Sequence, residues 1–161
     1  MAPRSHIYRT HLTWTGADAG VAFRNHRRDY RITVAGKPPL EGSCDPIFRG
    51  DATRWNPEDL LVASLSACHQ LWYLGLCAAA GVDVLFYEDA AEGTMVEESA
   101  GGAGQFTEVV LRPRVVVPAG TDLAKAVALH EAAHERCFIA RSVNFPVRHD
   151  PVVVAKDQRP P

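Results

Sequence analysis

Residues 60–81 contain no Asp, Glu, Lys or Arg, and this uncharged run follows a strong helix-start signal. Asn56 is a favourable N-cap residue, and Pro57 suits the first helical position. The two acidic residues that follow Pro57 suit the positive end of the helix dipole. Gly81 is a natural stop, because glycine readily adopts the left-handed backbone conformation that ends many helices. The sequence therefore predicts one long helix that is apolar on all its faces.

A run of this length and apolarity also fits a membrane-spanning helix. Polar side chains interrupt it, however, and the rest of the chain consists of strand-like and amphipathic segments. The interrupting residues are Ser64, Ser66, His69 and Gln70. A helix that is apolar on all sides can equally form the centre of a water-soluble fold. We therefore expect a buried central helix and no membrane partner.

Segments rich in alternating and β-branched residues lie on both sides of this helix. Strands are predicted at residues 6–15, 21–35, 82–91, 107–117, 142–146 and 151–155. Turns are predicted at residues 16–20 and 97–104, which are rich in glycine and other small residues. Pro113 lies within a strongly β segment and favours a sheet edge or a bulge there.

A second, amphipathic helix is predicted at residues 123–136, with Thr121 and Asp122 as its cap. The order of elements is strands, an apolar helix, strands and a second helix. This order is typical of an α+β protein in which an antiparallel sheet wraps around a central helix. A length of 161 residues without repeats or linkers predicts a single domain over residues 1–161. Its core is expected at residues 6–155, followed by a loose tail at 156–161.

The charge pattern argues against a nucleic-acid partner, since the net charge is −2 and the pI is near 6.4. A small basic cluster fits either a solvated strand or a contact for an anion; it contains Arg24, Arg27, Arg28 and Arg31. The first residues contain no apolar signal core, so we expect a cytoplasmic protein. In that compartment its four cysteines are expected to be free, catalytic or metal-bound, and not a structural disulfide framework.

The four cysteines occur in different sequence settings. Cys77 lies nine residues after Cys68 in the long helix, so the two point to opposite faces and cannot bridge. Cys77 is expected in the core, and Cys44 lies on a predicted loop. Cys68 and Cys137 remain as a candidate long-range pair, whose proximity the sequence alone does not establish.

A reactive Cys68 needs an activating group, because it lies too far into the helix for the helix dipole to act strongly. A nearby cation such as an arginine would lower its pKa. Glu58, at the helix start, is suited to hold and orient such an arginine. His69 follows Cys68 directly, but adjacent helical residues point in different directions, which favours a packing or interface role over that of a base.

The segment His130-Glu131-Ala-Ala-His134 matches the His-Glu-x-x-His zinc pattern on a helix. Together with Cys137, its two histidines follow the spacing of one helical face and offer two imidazoles and a thiolate to a zinc ion. No usual third ligand follows downstream. We therefore favour a structural or solvated histidine face and keep zinc as an alternative.

The segment Asn-Pro-Glu-Asp-Leu-Leu-Val-Ala-Ser-Leu-Ser-Ala-Cys-His, residues 56–69, resembles the signature of the OsmC/Ohr family. In that family an Asn-Pro-Glu helix start precedes a reactive cysteine. The later segment His134-x-x-Cys137 resembles the part of the family that carries its second cysteine. Residues 42–51 and 68–74 are similar to a less-studied OsmC-like branch. The resemblance extends over residues 7–155.

The resemblance implies an obligate, intertwined homodimer with swapped sheets and two sites at its interface. It also implies thiol-dependent reduction of organic hydroperoxides in oxidative stress defence. In that chemistry the Cys68 thiolate attacks the peroxide and becomes a sulfenic acid, with which Cys137 condenses into a disulfide. A lipoyl or other small dithiol would restore the thiols, with neither flavin nor metal as cofactor.

The chain departs from the family pattern at two places. Glu58 matches the family's arginine-orienting glutamate, but residues 16–20, where the arginine usually lies, contain none. Arg49 is our first candidate for that arginine, and the alternatives are Arg24, Arg27 and Arg28. Phe138 stands where many members have proline after the second cysteine.

One further function stays open besides the peroxidase and zinc hypotheses: binding of a small apolar ligand or a thiol on the same fold. A peroxidase requires that both cysteines be reactive and close together, whereas a binding protein tolerates a buried, unreactive thiol. Apolar residues near Cys68 would either favour bulky organic peroxides or simply form the core. They include Leu65, Leu71 and Trp72.

Overall fold

The computed structural model describes residues 4–16, 26–98 and 103–156. Its strands are β1 (His11–Trp14), β2 (Tyr30–Thr33), β3 (Leu40–Gly42), β4 (Phe86–Asp89), β5 (Glu92–Glu97), β6 (Gly104–Leu111), β7 (Pro113–Val117), β8 (Val147–His149) and β9 (Val152–Ala155), and its helices are α1 (Pro57–Ala79) and α2 (Leu123–Arg136). The α+β class is therefore confirmed. The chain divides after Leu60 into two compact units. That they act as the one domain expected over residues 1–161 stays a prediction.

The first unit contains a three-stranded antiparallel sheet in the order β1-β2-β3. The first two strands are shorter than predicted, and residues 17–25, with most of the predicted turn, lie outside the described residues. Arg54 lies within 4.0 Å of three carboxylates, those of Asp29, Glu41 and Asp51. These ion pairs tie the segment before α1 to the sheet of this unit.

Local hydrogen bonds define the ends of both helices, as predicted. The Asn56 side-chain oxygen accepts from the Asp59 amide at 2.7 Å, and Asp122 accepts from the Lys125 amide at 3.0 Å. Gly81 follows α1 with a φ of 70°, which an L side chain rarely adopts. Each helix therefore begins where its own sequence supplies the cap, and Gly81 follows the end of α1 as predicted.

The burial of α1 differs from the prediction of a helix buried on all sides. Its buried residues recur every fourth position and form one stripe: Leu65, His69, Tyr73 and Cys77. By length and composition α1 could span a membrane, and 22% of its most apolar window is buried within this chain. The stripe packs into the core of the second unit, while a second stripe of α1 is exposed in this chain: Ala63, Ala67, Leu71 and Gly75.

The second unit contains two three-stranded sheets, in the orders β4-β7-β9 and β5-β6-β8. The pairs β4–β7 and β5–β6 are antiparallel, whereas β7–β9 and β6–β8 are parallel. These sheets are therefore mixed, which corrects the expectation of purely antiparallel pairing.

The predicted strand at 107–117 is two strands in different sheets, β6 and β7. Between them the Arg112 amide donates to Asp89 Oδ1 at 2.7 Å, where the chain passes from one sheet to the other. Pro113 begins β7, the central strand of its sheet, so the predicted edge position is wrong. A proline at the first residue of a strand removes no essential ladder bond, which explains its tolerance there.

Two other strand predictions are also corrected. The sequence did not predict β5, whose residues pair with β6 across the predicted 97–104 turn, part of which lies outside the described residues. No strand forms at 142–146, where one was expected. A short 3-10 turn covers Ala140–Ser142, and the strand β8 begins at Val147.

The core of the second unit consists of two apolar clusters. One contains Tyr73, Cys77, Val82, Val115, Val117, Ala126 and Ala133, and the other contains Leu65, Val109, Leu111 and Val147. The buried stripe of α1 contributes to both clusters, and His69 lies between their α1 members in the sequence. The centre of the α1 stripe is thus a polar residue with no exposed surface.

Candidate active site

Cys68 and Cys137 lie together in the second unit, close enough for the Cys68 thiol to raise the pKa of the Cys137 thiol. Cys68 is half-buried in the middle of α1, whereas Cys137 is 1% exposed directly after α2. Both are free thiols. A disulfide needs the two sulfur atoms about 2.05 Å apart, so neighbouring thiols require only a local movement to form one.

Cys137 is held by a tight turn at the end of α2. Its amide donates to the His134 carbonyl at 3.1 Å, its carbonyl accepts from the Arg141 amide at 3.1 Å, and its Sγ accepts from the Ala140 amide at 3.4 Å. Burial, followed by the neighbouring Cys68 thiol, raises the pKa of Cys137 to about 11. Cys137 is therefore a neutral thiol at pH 7.

The other two cysteines lie apart from this pair. Cys77 is buried in the core, and burial raises the pKa of its thiol, which also hydrogen-bonds Tyr73. The Cys44 thiol, in the first unit, donates to the Phe48 carbonyl at 3.2 Å. Both placements agree with the core and loop positions expected from the sequence.

Glu58 and Arg28 share a neighbourhood in the first unit, around Cys44. Burial raises the pKa of the Cys44 thiol, Arg28 opposes this shift and Glu58 adds to it. Glu58 Oε2 is buried without a hydrogen-bond partner among the described residues.

The remaining arginine candidates have other settings. Arg27 forms an ion pair with Asp29 at 2.8 Å. Arg49 is exposed and has a left-handed backbone, with a φ of 68°, at the end of the short Pro46–Phe48 turn. Arg24 lies outside the described residues.

Four histidines form a stack in the second unit, on α1, α2 and β8. His69 Nε2 and His130 Nδ1 are 2.9 Å apart, and neither residue has exposed surface. The His149 ring lies 5.6 Å from that of His69 and 5.4 Å from that of His134. Burial lowers the pKa of His69 to about 4 and that of His130 to about 3, so both are neutral at pH 7.

The His-Glu-x-x-His segment takes part in this stack. His130 faces His69, and Glu131 Oε2 lies 3.2 Å from His149 Nε2. In the described part of the chain, no three His, Cys, Asp or Glu side chains are placed to hold a metal ion. His69 lies in the core, as the packing interpretation expected, and His149 had no signal in the sequence.

An aromatic pair lies beside the cysteines. Trp72 is one helical turn after Cys68 and so projects from the same face of α1. Its ring meets that of Phe138 edge-on, with centroids 5.6 Å apart, and Phe138 is 69% exposed. Leu65, by contrast, is fully buried in the core, and Leu71 is 69% exposed. The hypothesis that apolar residues near Cys68 favour bulky organic peroxides therefore applies to Trp72 and Phe138.

A polar cleft of about 570 Å³ opens beside the turn that carries Cys137. Its lining residues are His134, Glu135, Arg136, Ala140 and Arg141. The volume lies within the usual range for a small-molecule site.

Comparisons with known proteins agree with this architecture. The solved structure of an OsmC-like protein from Vibrio cholerae is 29% identical, covers 92% of this chain and 100% of its own, and has a TM-score of 0.83. The organic hydroperoxide resistance protein OsmC from Legionella pneumophila is 19% identical over 92% and 98% of the two chains, with a TM-score of 0.64. OhrB of Bacillus subtilis, an organic hydroperoxide resistance protein, is 20% identical over 90% and 98%, with a TM-score of 0.62. The last two likenesses show the fold alone.

Sequence comparison leads to the same group of proteins. None of the curated proteins compared with this chain matches it. The family model described as OsmC-like protein matches residues 50–151, which include Cys68, Cys137 and both helices. The chain therefore belongs to the OsmC-like protein family.

Proposed function

We propose that the protein is a two-cysteine, thiol-dependent peroxidase that reduces organic hydroperoxides to alcohols. The observation that carries this proposal is the proximity of the Cys68 thiol to the Cys137 thiol, whose pKa it raises. Membership of the family supports it, because the related Legionella and Bacillus proteins are named for organic hydroperoxide resistance.

The accessibility of the two thiols suggests their order in the reaction. Cys68 is half-buried and Cys137 is buried, so the peroxide reaches Cys68 first. The Cys68 thiolate attacks one peroxide oxygen, the O–O bond breaks, and the alkoxide takes up a proton and leaves as the alcohol. The sulfur of Cys68 is thereby oxidised to a sulfenic acid.

Condensation and reduction complete the cycle. The sulfur of Cys137 attacks the Cys68 sulfenic acid, water leaves with the Cys137 proton, and a disulfide forms. A small dithiol, of the lipoyl type or similar, then reduces this disulfide by two thiol–disulfide exchanges and becomes a disulfide itself. The sum is one hydroperoxide and one dithiol converted to one alcohol, one water and one disulfide.

The activating group is a further part of the proposal. A thiolate at Cys68 requires a nearby positive charge, and the family resemblance assigns this task to an arginine oriented by Glu58. Arg49 stays our first candidate, and Arg28 is the alternative that shares the neighbourhood of Cys44 with Glu58.

We also propose that the protein is a cytoplasmic homodimer. A second copy would cover the apolar faces of α1 that this chain leaves open, including Leu71. Further exposed apolar side chains in the same unit include Leu85, Phe86, Val96 and Val152. The reducing cytoplasm suits a disulfide that forms and is reduced in each catalytic cycle.

The test is the mass of the fully reduced protein before and after one equivalent of cumene hydroperoxide. We expect a loss of two hydrogen atoms and, after digestion, a peptide crosslinked between Cys68 and Cys137. A protein that keeps all its thiols free under this treatment would contradict the peroxidase proposal. That result would favour instead a small-molecule or thiol-binding role on the same fold.

The aromatic pair predicts a preference for hydroperoxides that carry an aromatic ring. Replacing Phe138 by Pro, the residue common in the family, is expected to lower kcat/KM for cumene hydroperoxide relative to tert-butyl hydroperoxide. Because an aromatic pair contributes about 0.5–1.5 kcal/mol, the ratio should fall by roughly threefold to tenfold. Phe138→Leu keeps the apolar surface without the ring, and Leu123→Ala removes an exposed apolar side chain elsewhere. An unchanged ratio in Phe138→Pro would show that Phe138 does not select the substrate.

A further inference from the structure

The histidine stack joins the two helices that bring the cysteines together. The His69–His130 contact links α1 to α2 at 2.9 Å between two residues with no exposed surface. Among the described residues, one other side-chain hydrogen bond joins these helices, from the Tyr73 hydroxyl to the Ala126 carbonyl at 3.2 Å. The His69–His130 contact is the nearer of the two to both cysteines in the sequence.

Each histidine of this contact lies near one cysteine of the pair in the sequence. His69 follows Cys68 directly in α1, and His130 lies two helical turns before Cys137. The stack also reaches the far side of the Cys137 turn, because His149 on β8 lies against both His69 and His130, with ring centroids at 5.6 and 6.4 Å. The elements before and after Cys137, α2 and β8, therefore each contact His69.

Packing alone does not explain two imidazoles at this depth. His69 Nδ1 and His130 Nε2 are buried without a hydrogen-bond partner, and leaving such an atom unpaired costs about 1–3 kcal/mol. An apolar pair of similar volume would avoid that cost. What the imidazoles add is a directional bond that fixes how far one helix can slide against the other.

We propose that the His69–His130 hydrogen bond is a positioning contact that holds the Cys137 thiol within reach of Cys68. The contact sets the equilibrium and the rate of disulfide formation between Cys68 and Cys137. Its effect on hydroperoxide turnover rests on the two-cysteine mechanism proposed above. Loosening it lowers the effective concentration of one thiol at the other, because α1 and α2 then have more freedom to move apart. The first oxidation of Cys68 does not need Cys137 and should not depend on the contact.

The test is a redox titration of the full-length protein in mixtures of reduced and oxidised dithiothreitol, which requires no hydroperoxide. In His130→Leu, the equilibrium constant for the Cys68–Cys137 disulfide should fall at least about tenfold, equivalent to about 30 mV for this two-electron couple. His130→Asn places an amide atom close to the position of Nδ1 and should restore most of the wild-type value. Val127→Ala removes an exposed apolar side chain from the same helix without touching the histidine stack and should behave as the wild type.

Kinetics separate a positioning role from a general loss of structure. After a single addition of cumene hydroperoxide, Cys68 sulfenic acid should form at the wild-type rate in His130→Leu, and its conversion to the disulfide should be about tenfold slower. If His130→Leu does not fold, the pair His69→Met and His69→Gln tests the same bond from α1, since the Gln amide reaches the position of Nε2. The proposal is overturned if folded His130→Leu or His69→Met has the wild-type equilibrium constant for the disulfide. It is also overturned if His130→Asn or His69→Gln has an equilibrium constant no higher than that of the apolar variant at the same position.

The outcomes also distinguish this proposal from the proposed function. If the wild-type protein forms the disulfide in dithiothreitol buffer but does not react with hydroperoxides, the peroxidase proposal fails and the positioning role is still decided by the variants. If hydroperoxide reacts normally and the variants do not shift the equilibrium, the peroxidase proposal stands and the positioning role is wrong.

Discussion

Replacement of Cys68 by Ser is expected to abolish hydroperoxide turnover and to lower kcat/KM by roughly a thousandfold or more. A hydroxyl of similar size leaves the helix and its packing unchanged, but its oxygen cannot be oxidised to an intermediate that condenses with a thiol. The measurement is alcohol produced from cumene hydroperoxide in the presence of a dithiol. Cys77→Ala is the matched control, because it removes a thiol from the core face of the same helix, apart from the cysteine pair, and should leave turnover unchanged.

The same logic assigns a different outcome to Cys137. Cys137→Ser should undergo one oxidation per chain, seen as the addition of a single oxygen atom at Cys68, and then accumulate the sulfenic acid. Trapping with dimedone would identify the modified residue. Normal steady-state turnover in Cys68→Ser would contradict the mechanism, whereas normal turnover in Cys137→Ser would limit it to a single cysteine.

A marked loss of stability in mild acid is the second large expected effect. The folded protein holds the pKa of His69 at about 4 and that of His130 at about 3, against an ordinary value of 6.5. The unfolded chain therefore binds more protons below pH 6.5, so the free energy of unfolding falls as the pH falls from 6.5 toward 4. For His69 alone the full effect is on the order of 3 kcal/mol.

Urea unfolding between pH 7.5 and 4.5 measures this loss. The titratable groups near the two imidazoles are Tyr73, His134 and His149, and Glu131 contacts His149. The pKa of Asp51 is lowered from its ordinary value of 3.8, so the stability that this carboxylate contributes is lost only below about that pH. It therefore does not affect the measurement above pH 4.5. His69→Gln removes one titrating group and should flatten the pH dependence. A free energy of unfolding independent of pH in this interval for the wild-type protein would show that the imidazoles are not buried in neutral form.

The sequence by itself determined the parts of the fold that depend on neighbouring residues. The start of α1 depends on Asn56 and the amide of Asp59, and the start of α2 on Asp122 and the amide of Lys125. These contacts span three residues, so the local sequence contains both partners. The uncharged run predicted a long helix for the same reason, because its length and its end at Gly81 are local properties.

Only the tertiary structure decided which distant residues meet. The division of 107–117 between two sheets, the strand β5 and the parallel pairs with β8 and β9 depend on partners elsewhere in the chain. The same holds for the contact between the Cys68 and Cys137 thiols and for that between His69 and His130. The two residues of each pair are more than 60 positions apart in the sequence, so the residues around one of them do not identify the other. Burial between packed helices then lowers the pKa of the imidazoles and raises that of Cys137, because only the folded chain removes water from those side chains.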